Sequence, residues 1–403
     1  MFFNEVIGQS EVKKHLSEMV IQNRLSHALL FLGKEGSGAL PLAVAFAQYI
    51  VCEKVSGRFM ASDQGPLFGE ETNHAPEPQL DACGVCKACV KAAKFMHPDI
   101  HFSYPVIPKK SGDKPISTDY IEEWRDFLKQ YPYGNIYDWL QFIGAENKQG
   151  NITAHECSDI IRKLNLKSFE SEYKILVLWM PEYLGNEGNK LLKLIEEPPA
   201  NTLFILIGEN ESLVLPTIIS RTQLVKVPAL ETKEVYESLI SRARLTPEQA
   251  GQIAPIADGN YREALQIIQH AGEDWNSLVR DWLNAILKTG PIAQVKWVDE
   301  VSKLGRERQK QFLRYFNHLL GQAIRLRVAG ETASAGVLMA DNERDFALRL
   351  NKIAGISEHQ AIIEELDRAS YYIERNANAK MLFHALTIKL YHIIADKSLI
   401  LMT

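Results

Sequence analysis

Six residues pose the first chemical question. Gly33-Lys34-Glu35-Gly36-Ser37-Gly38 is a glycine turn with Gly33 and Gly38 at the spacing of a phosphate-binding loop. A working loop of the form G-x-x-x-x-G-K-[ST] cradles phosphates on backbone N–H groups, reaches the β/γ oxygens with Lys and holds Mg²⁺ on the hydroxyl. Here the next residues are Ala39 and Leu40, so both the cation and the metal ligand are missing. A charge-assisted contact of the Lys type contributes roughly 1.5–3 kcal/mol, so ATP is expected to bind weakly and not be turned over. Lys34 is a candidate substitute cation, but it sits early in the turn, where a side chain usually points away from the γ-phosphate position. A second requirement is an acid at the end of a neighbouring strand, to hold Mg²⁺ and orient water. The window Leu176-Val177-Leu178-Trp179-Met180-Pro181 has none, and Glu182 comes late. A chance glycine turn would explain the first loss but leaves the second as coincidence.

The other chemistry-bearing group is Cys83-x-x-Cys86-x-x-Cys89. Zinc takes four soft ligands in a tetrahedron, and C-x-x-C spacing lets two thiolates face one ion. Cys52 is the expected fourth ligand, with His97 and His74 as alternatives; four protein ligands would make the zinc structural. The competing readings are unliganded thiols and a Cys52 that is simply a small core hydrophobe. Cys157 lies in a separate helical segment and reads as core or free.

These groups need positioning elements. Glu11 to Leu25 carries Val12, Leu16, Met19, Val20 and Leu25 at helical spacing. Ala28–Leu32 reads as a buried strand, and an Ala-rich helix runs from about Leu40 to Cys52. Strand, glycine turn and helix is the grammar of a nucleotide-binding α/β unit. Lys174–Trp179 and Leu203–Ile207 are further buried strands; helices are expected near 119–130, 154–165 and 187–197, the last stopped by Pro198-Pro199. Continuous apolar strands alternating with helices argue for a parallel sheet covered on both faces. After Pro228 the strand signal ends. Three short helices fit 231–271, and 275–403 reads as helical, clearest at 298–304, 309–326 and 379–394. Residues 53–82 read as a loop. Residues 104–148 are irregular and aromatic, and Trp124, Tyr131, Tyr133, Tyr137 and Trp139 are expected to pack.

The chain has 403 residues, 46% hydrophobic and 24% charged, with a net charge of -5. That length implies more than one domain. The acidic balance speaks against a module that binds nucleic acid by itself through a basic sheath. No stretch of 18 apolar residues and no secretory signal pattern is present, so a cytoplasmic protein with no membrane span is expected.

Several stretches resemble the clamp-loader subunits of bacterial DNA polymerase III, the delta-prime type above all. They are Phe3-Asn4-Glu5-Val6-Ile7-Gly8-Gln9, Ser26-His27-Ala28-Leu29-Leu30-Phe31, Asn189-Lys190-Leu191-Leu192-Lys193-Leu194-Ile195-Glu196-Glu197-Pro198-Pro199 and Leu215-Pro216-Thr217-Ile218-Ile219-Ser220-Arg221-Thr222. The resemblance covers about 1–50, 83–101 and 150–272, is architectural over 275–403, and fails over 104–148. It implies an α/β AAA+ module with a five-stranded parallel sheet at 1–228, carrying a zinc module near 52–89 and an insertion near 104–148. A helical lid at 229–272 and an all-α collar for oligomerisation at 273–403 would follow. It also implies a non-hydrolysing subunit in a ring with gamma/tau and delta subunits, which loads a sliding clamp onto primed DNA. The degenerate loop of Gly33, Gly36 and Gly38 agrees with that role. Arg221 resembles the arginine of the family's Ser-Arg-Cys motif, which completes a neighbour's ATP site in trans; Thr222 replaces the Cys. Planar, always charged and bidentate, a guanidinium suits that task. Arg262 resembles the lid arginine that senses nucleotide in active relatives, while a plain ion pair would also account for it. Two other readings remain: an ATP-hydrolysing gamma/tau-like subunit, and a zinc-containing nucleic-acid-binding module.

Overall fold

The computed structural model describes residues 1–57, 80–110, 112–145, 148–269, 274–333, 341–375 and 377–397. His74 and most of the 53–82 loop lie outside these residues. The chain divides into two compact units, one of Met1–Ser238 with Asp258–Arg262 and the other of Leu239–Ala257 with Glu263–Thr403.

The first unit is built on a parallel sheet of five strands: β1 (Ala28–Leu32), β2 (Ile100–Ser103), β3 (Lys174–Trp179), β4 (Thr202–Gly208) and β5 (Gln223–Lys226), in the order β2-β3-β4-β1-β5. β1 runs between β4 and β5, with Leu30 opposite both Leu206 and Leu224. β3 and β4 are buried along their whole length. Alternate residues of one strand enter different cores. Leu29 and Phe31 pack with Ile175, Val177, Ile205 and helix α2 (Ala39–Val51), whereas Ala28 and Leu30 pack with Leu176, Leu206 and helix α6 (Ala154–Leu164). Both faces are therefore covered, which is why the central strands are uninterrupted apolar runs. α2 is buried at every position.

Other helices of this unit are α1 (Ser10–Ile21), α3 (Lys87–Ala93), α4 (Ile121–Gln130), α5 (Ile136–Phe142), α7 (Leu192–Glu196) and α8 (Pro216–Ile219). The segment expected as a helix over 187–197 differs. Pro181–Leu191 is 3-10 helical and breaks at Gly185 (φ 51°, ψ -150°), and only Leu192–Glu196 is α-helical. A backbone in that region interrupts the α-helical ladder, and glycine tolerates it.

The described residues of 104–148 pack on the sheet. Trp124 and Trp139 are fully buried. Trp124 stacks on Tyr104 at 4.0 Å and reaches Trp179 of β3 at 5.2 Å. Trp139 Nε1 donates to the Pro105 carbonyl at 2.7 Å, satisfying its polar atom. Tyr131 is exposed, and Tyr137 is partly buried.

From Thr232 onward the described residues are helical: α9 (Thr232–Ser241), α10 (Pro247–Ala257), α11 (Tyr261–Gln269), α12 (Trp275–Asn284), α13 (Pro291–Val301), α14 (Arg306–Ala333), α15 (Asp341–Ile353), α16 (Ile356–Glu374) and α17 (Ala379–Ala395). The second unit's core centres on Trp282 and Trp297, parallel at 4.4 Å, with Phe312, Phe316 and Phe383 around them. Trp282 Nε1 donates to Thr387 Oγ1 at 3.0 Å. No helix of the described residues is long and apolar enough to cross a membrane.

Candidate functional site

β1 delivers the glycine turn to the N-terminus of α2, the place where a nucleotide-binding unit presents its phosphate cradle. Gly36 (φ 72°) and Gly38 (φ 91°) take left-handed backbone conformations that side chains disfavour. The helix starts at Ala39, and Ala39, Leu40 and Pro41 are buried. The two positions that would carry Lys and Ser/Thr thus present apolar side chains to the core. Lys34 is exposed.

The mouth of the turn is filled by side chains of the same unit. Arg262, on the first turn of α11, has a side chain only 4% exposed and pairs with two carboxylates. Its Nε and Nη2 donate to Asp138 Oδ2 and Oδ1 at 2.5 and 2.7 Å, and its Nη1 donates to Glu35 Oε1 at 2.9 Å. Glu35 also accepts from Asn135 Nδ2 at 3.0 Å and from Asn260 Nδ2 at 3.2 Å. A Cβ on Gly36 would lie 1.8 Å from Asn260 Oδ1, and one on Gly38 would lie 3.1 Å from the Tyr133 ring. Tyr133 Oη accepts from the Ile7 amide at 2.7 Å, and its ring meets Tyr261 edge-on at 5.0 Å. Gln9 Nε2 donates to the carbonyls of Ser37 and Pro228. Sequence reasoning singled out Arg262 but missed Glu35, Tyr133, Asn135 and Asp138. The Asn135-x-x-Asp138 pair is legible only as a helix start: the two side chains cap α5 reciprocally, at 3.0 and 3.1 Å.

At the end of β3, Met180 adopts φ 62° and Glu182 follows Pro181. Glu182 Oε1 accepts from the amides of Glu209 and Asn210 at 2.6 and 2.9 Å. Burial pushes its carboxyl above the ordinary range, against the pull of those hydrogen bonds. It braces the loop after β4.

Arg221 stands between α8 and β5, with its side chain 32% exposed. Nε donates to Glu196 Oε1 at 2.5 Å, Nη2 lies 2.5 Å from the same oxygen, and Nη1 donates to the Thr217 carbonyl at 2.8 Å. The Glu196-Glu197-Pro198-Pro199 turn and the Ser220-Arg221 pair, distant in sequence, are thereby joined.

Four cysteines converge. Cys52 caps the end of α2, Cys86 caps the start of α3, and Cys83 and Cys89 complete the set; their sulfurs all lie within 4.8 Å of one another. Backbone amides point at the sulfurs: Cys83 N–H to Cys52, Cys86 N–H to Cys83 and Cys89 N–H to Cys86, at 3.3–3.4 Å. The Cys89 thiol and then the amides of Cys83, Val55 and Lys54 pull Cys52 down to about 5, against its burial. Its partnership with Cys52 pushes Cys89 up. Zn–S bonds of about 2.3 Å in a tetrahedron place sulfurs about 3.8 Å apart, and Cys83 and Cys89 stand at 3.9 Å. This donor set could hold a metal ion. His97 does not join it: it is buried, with Nδ1 accepting from the Asp99 amide at 3.2 Å and Nε2 3.4 Å from Glu170. Cys157 is buried in the core under α6.

The sheet order and the strand–glycine turn–helix unit define an α/β module of the AAA+ class. The family model described as DNA polymerase III, delta subunit, matches residues 8–65 and 65–231. The chain belongs to that family and is a clamp-loader-type subunit with delta-prime likeness. It is 25% identical to the delta' subunit of DNA polymerase III of Bacillus subtilis over 259 residues, 64% of this chain and 59% of that one. The tau subunit of the same organism is 24% identical over 327 residues, 79% of this chain and 46% of that one. The chain thus spans about half the length of these relatives. The delta' subunit of Pseudomonas aeruginosa is 24% identical, over 74% of this chain and 81% of that one. A gamma subunit-related protein of Thermotoga maritima superposes with a TM-score of 0.37 at 14% identity, covering 94% of this chain and 98% of that one.

Proposed function

We propose that this chain is a clamp-loader subunit that does not hydrolyse ATP and that completes a neighbouring subunit's ATP site with Arg221. The observation that carries the reading is the pairing of two features on one α/β body. The loop has Ala39 and Leu40 where hydrolysis needs Lys and Ser/Thr, while a guanidinium stands partly exposed at the α8–β5 junction. In well-studied GTPases an arginine supplied in trans contributes roughly 10³–10⁵ in rate. Arg221 would leave Glu196 for a γ-phosphate; the pair is on the surface, where such bridges are worth about 0–1 kcal/mol, so the exchange costs little. The partners are gamma/tau and delta subunits, a sliding clamp and primed DNA, in the cytoplasm. The division into 1–228, 229–272 and 273–403 accompanies this reading, with the last segment as the ring collar. Cys52, Cys83, Cys86 and Cys89 would hold a structural zinc. Such an ion would tie the end of α2 to the start of α3 and leave no open coordination position for chemistry.

The test is a ring reconstituted with ATPase subunits, clamp and primed DNA. Arg221→Ala should cut DNA-stimulated ATP hydrolysis at least tenfold while leaving assembly intact, and an unchanged rate refutes the finger. The comparable identity to tau favours one second reading, an active gamma/tau-like ATPase. It requires ATP turnover by the purified chain alone.

A further inference from the structure

The 104–148 segment, which lies within the stretch the family model matches, sends three side chains to the glycine turn: Tyr133, Asn135 and Asp138. We propose that the mouth of this turn is occupied from within. The carboxylates of Glu35 and Asp138 take the place on Arg262 that a polyphosphate would take, and the site is closed in the ligand-free chain. This inference rests on the non-hydrolysing reading above and supplies a physical mechanism for it.

Three observations carry it. First, Arg262 has its fork filled: two N–H groups are spent on Asp138 and a third on Glu35, the bidentate geometry with which guanidinium binds phosphate. Second, the carboxylates of Glu35 and Asp138 both face the mouth where a polyphosphate would enter, and a partly buried carboxylate repels a phosphate because it is poorly screened. Third, the backbone is engaged. The Ser37 amide donates to the Lys34 carbonyl at 3.1 Å, and the Gly36 carbonyl accepts from Tyr261 at 3.2 Å. Asn260 and the Tyr133 ring lie against Gly36 and Gly38, so the space that glycines ordinarily keep open for a ligand is taken. Losing Lys and Ser/Thr would weaken a nucleotide site; these contacts go further and replace the ligand.

The experiment uses the full chain and two probes, inorganic tripolyphosphate and MgATP, with binding read by calorimetry. The wild type should bind neither at millimolar concentration. Glu35→Gln/Asp138→Asn, which keeps side-chain shape and frees Arg262, should bind tripolyphosphate at least about tenfold tighter than the wild type, the lower end of what one charge-assisted contact contributes. Adding Arg262→Ala should abolish the gain. Wild-type binding equal to that of the double variant overturns the inference, as does a folded double variant that gains nothing. Should the double variant fail to fold, Glu35→Gln alone, on a turn with a side chain 16% exposed, should show a partial gain, and none overturns the proposal. Hydrogen exchange of the wild type over 133–138 and 259–262 should not change on adding tripolyphosphate; slowed exchange overturns it. If the wild-type chain hydrolyses ATP, the non-hydrolysing reading falls too; if it is inert and the variants gain nothing, only this inference falls.

Discussion

Replacing Asp138 with Ala isolates the energetic weight of the cluster at the glycine turn. Asp138 has two jobs. It caps α5 with Asn135, an interaction worth about 1 kcal/mol. It also neutralises Arg262, whose side chain is 4% exposed. Removing one partner of a fully buried ion pair costs about 3–5 kcal/mol because a charge is stranded. Glu35 stays at 2.9 Å from Arg262, so the stranding is partial and we expect about 2–3 kcal/mol, for a total near 3–4 with the lost cap. At about 2–4 °C per kcal/mol for a unit of this size, the α/β unit should melt roughly 10 °C lower in scanning calorimetry. The same substitution in an Arg262→Met background should cost only the cap, about 1 kcal/mol, since no guanidinium remains to be stranded. The coupling energy is therefore expected near 2–3 kcal/mol. If Asp138→Ala costs the same in both backgrounds to within about 0.5 kcal/mol, the pair carries no stability and the closed mouth is a packing accident.

Three further outcomes are expected. Metal analysis should find one zinc per chain, lost in Cys89→Ser. Chelation should speed hydrogen exchange over 80–93 and also at Phe3 and Asn4, whose amides donate to Asp81 beside the cysteines; a preparation free of zinc when purified without chelator refutes the site. His101, in β2, has its pKa lowered to about 4 by burial and then by Lys163. Its neutral form is favoured in the fold, so the stability it contributes is present above about 6.5 and is lost as pH falls towards 4, where the unfolded chain binds the proton first. An NMR titration of His101 with a midpoint near 6.5 would contradict this, and His101→Gln should flatten the acid limb of stability. Trp282→Ala removes a fully buried indole and its bond to Thr387; it should cost about 3–5 kcal/mol in the helical unit's transition alone, and a shift confined to the α/β transition would be the wrong result.

The central strands were legible because burial on both faces leaves no room for polar residues: Ala28–Leu32, Lys174–Trp179 and Leu203–Ile207 fall almost residue for residue on β1, β3 and β4. The strands that residue patterning did not reveal, β2 and β5, are the two edges of the sheet. Each has four residues and pairs with a neighbouring strand on one side only; polar residues interrupt them, His101 and Ser103 in β2 and Gln223 and Lys226 in β5, so the apolar run that marks a strand is broken. The 3-10 stretch before Leu192 escaped for a related reason: its leucines keep a helical rhythm, while the break depends on the backbone of Gly185 alone.

The candidate site divides along the same line between local and long-range information. The loss of Lys and Ser/Thr at Ala39 and Leu40 is written in adjacent letters, and so is the cysteine triplet. What fills the glycine turn is not. Asn135 is 100 residues from Glu35, and Asp138 is 124 from Arg262; each reads locally as a helix cap, a role it does perform. The aromatics of 104–148 explain how this segment arrives there. Trp124 and Trp139 anchor it to the sheet beside Trp179, and that anchorage holds α5 with its N-terminal cap at the turn. The 104–148 segment thus reaches the glycine turn through ordinary core packing. Its acidic residue can then meet Arg262 on a distant helix.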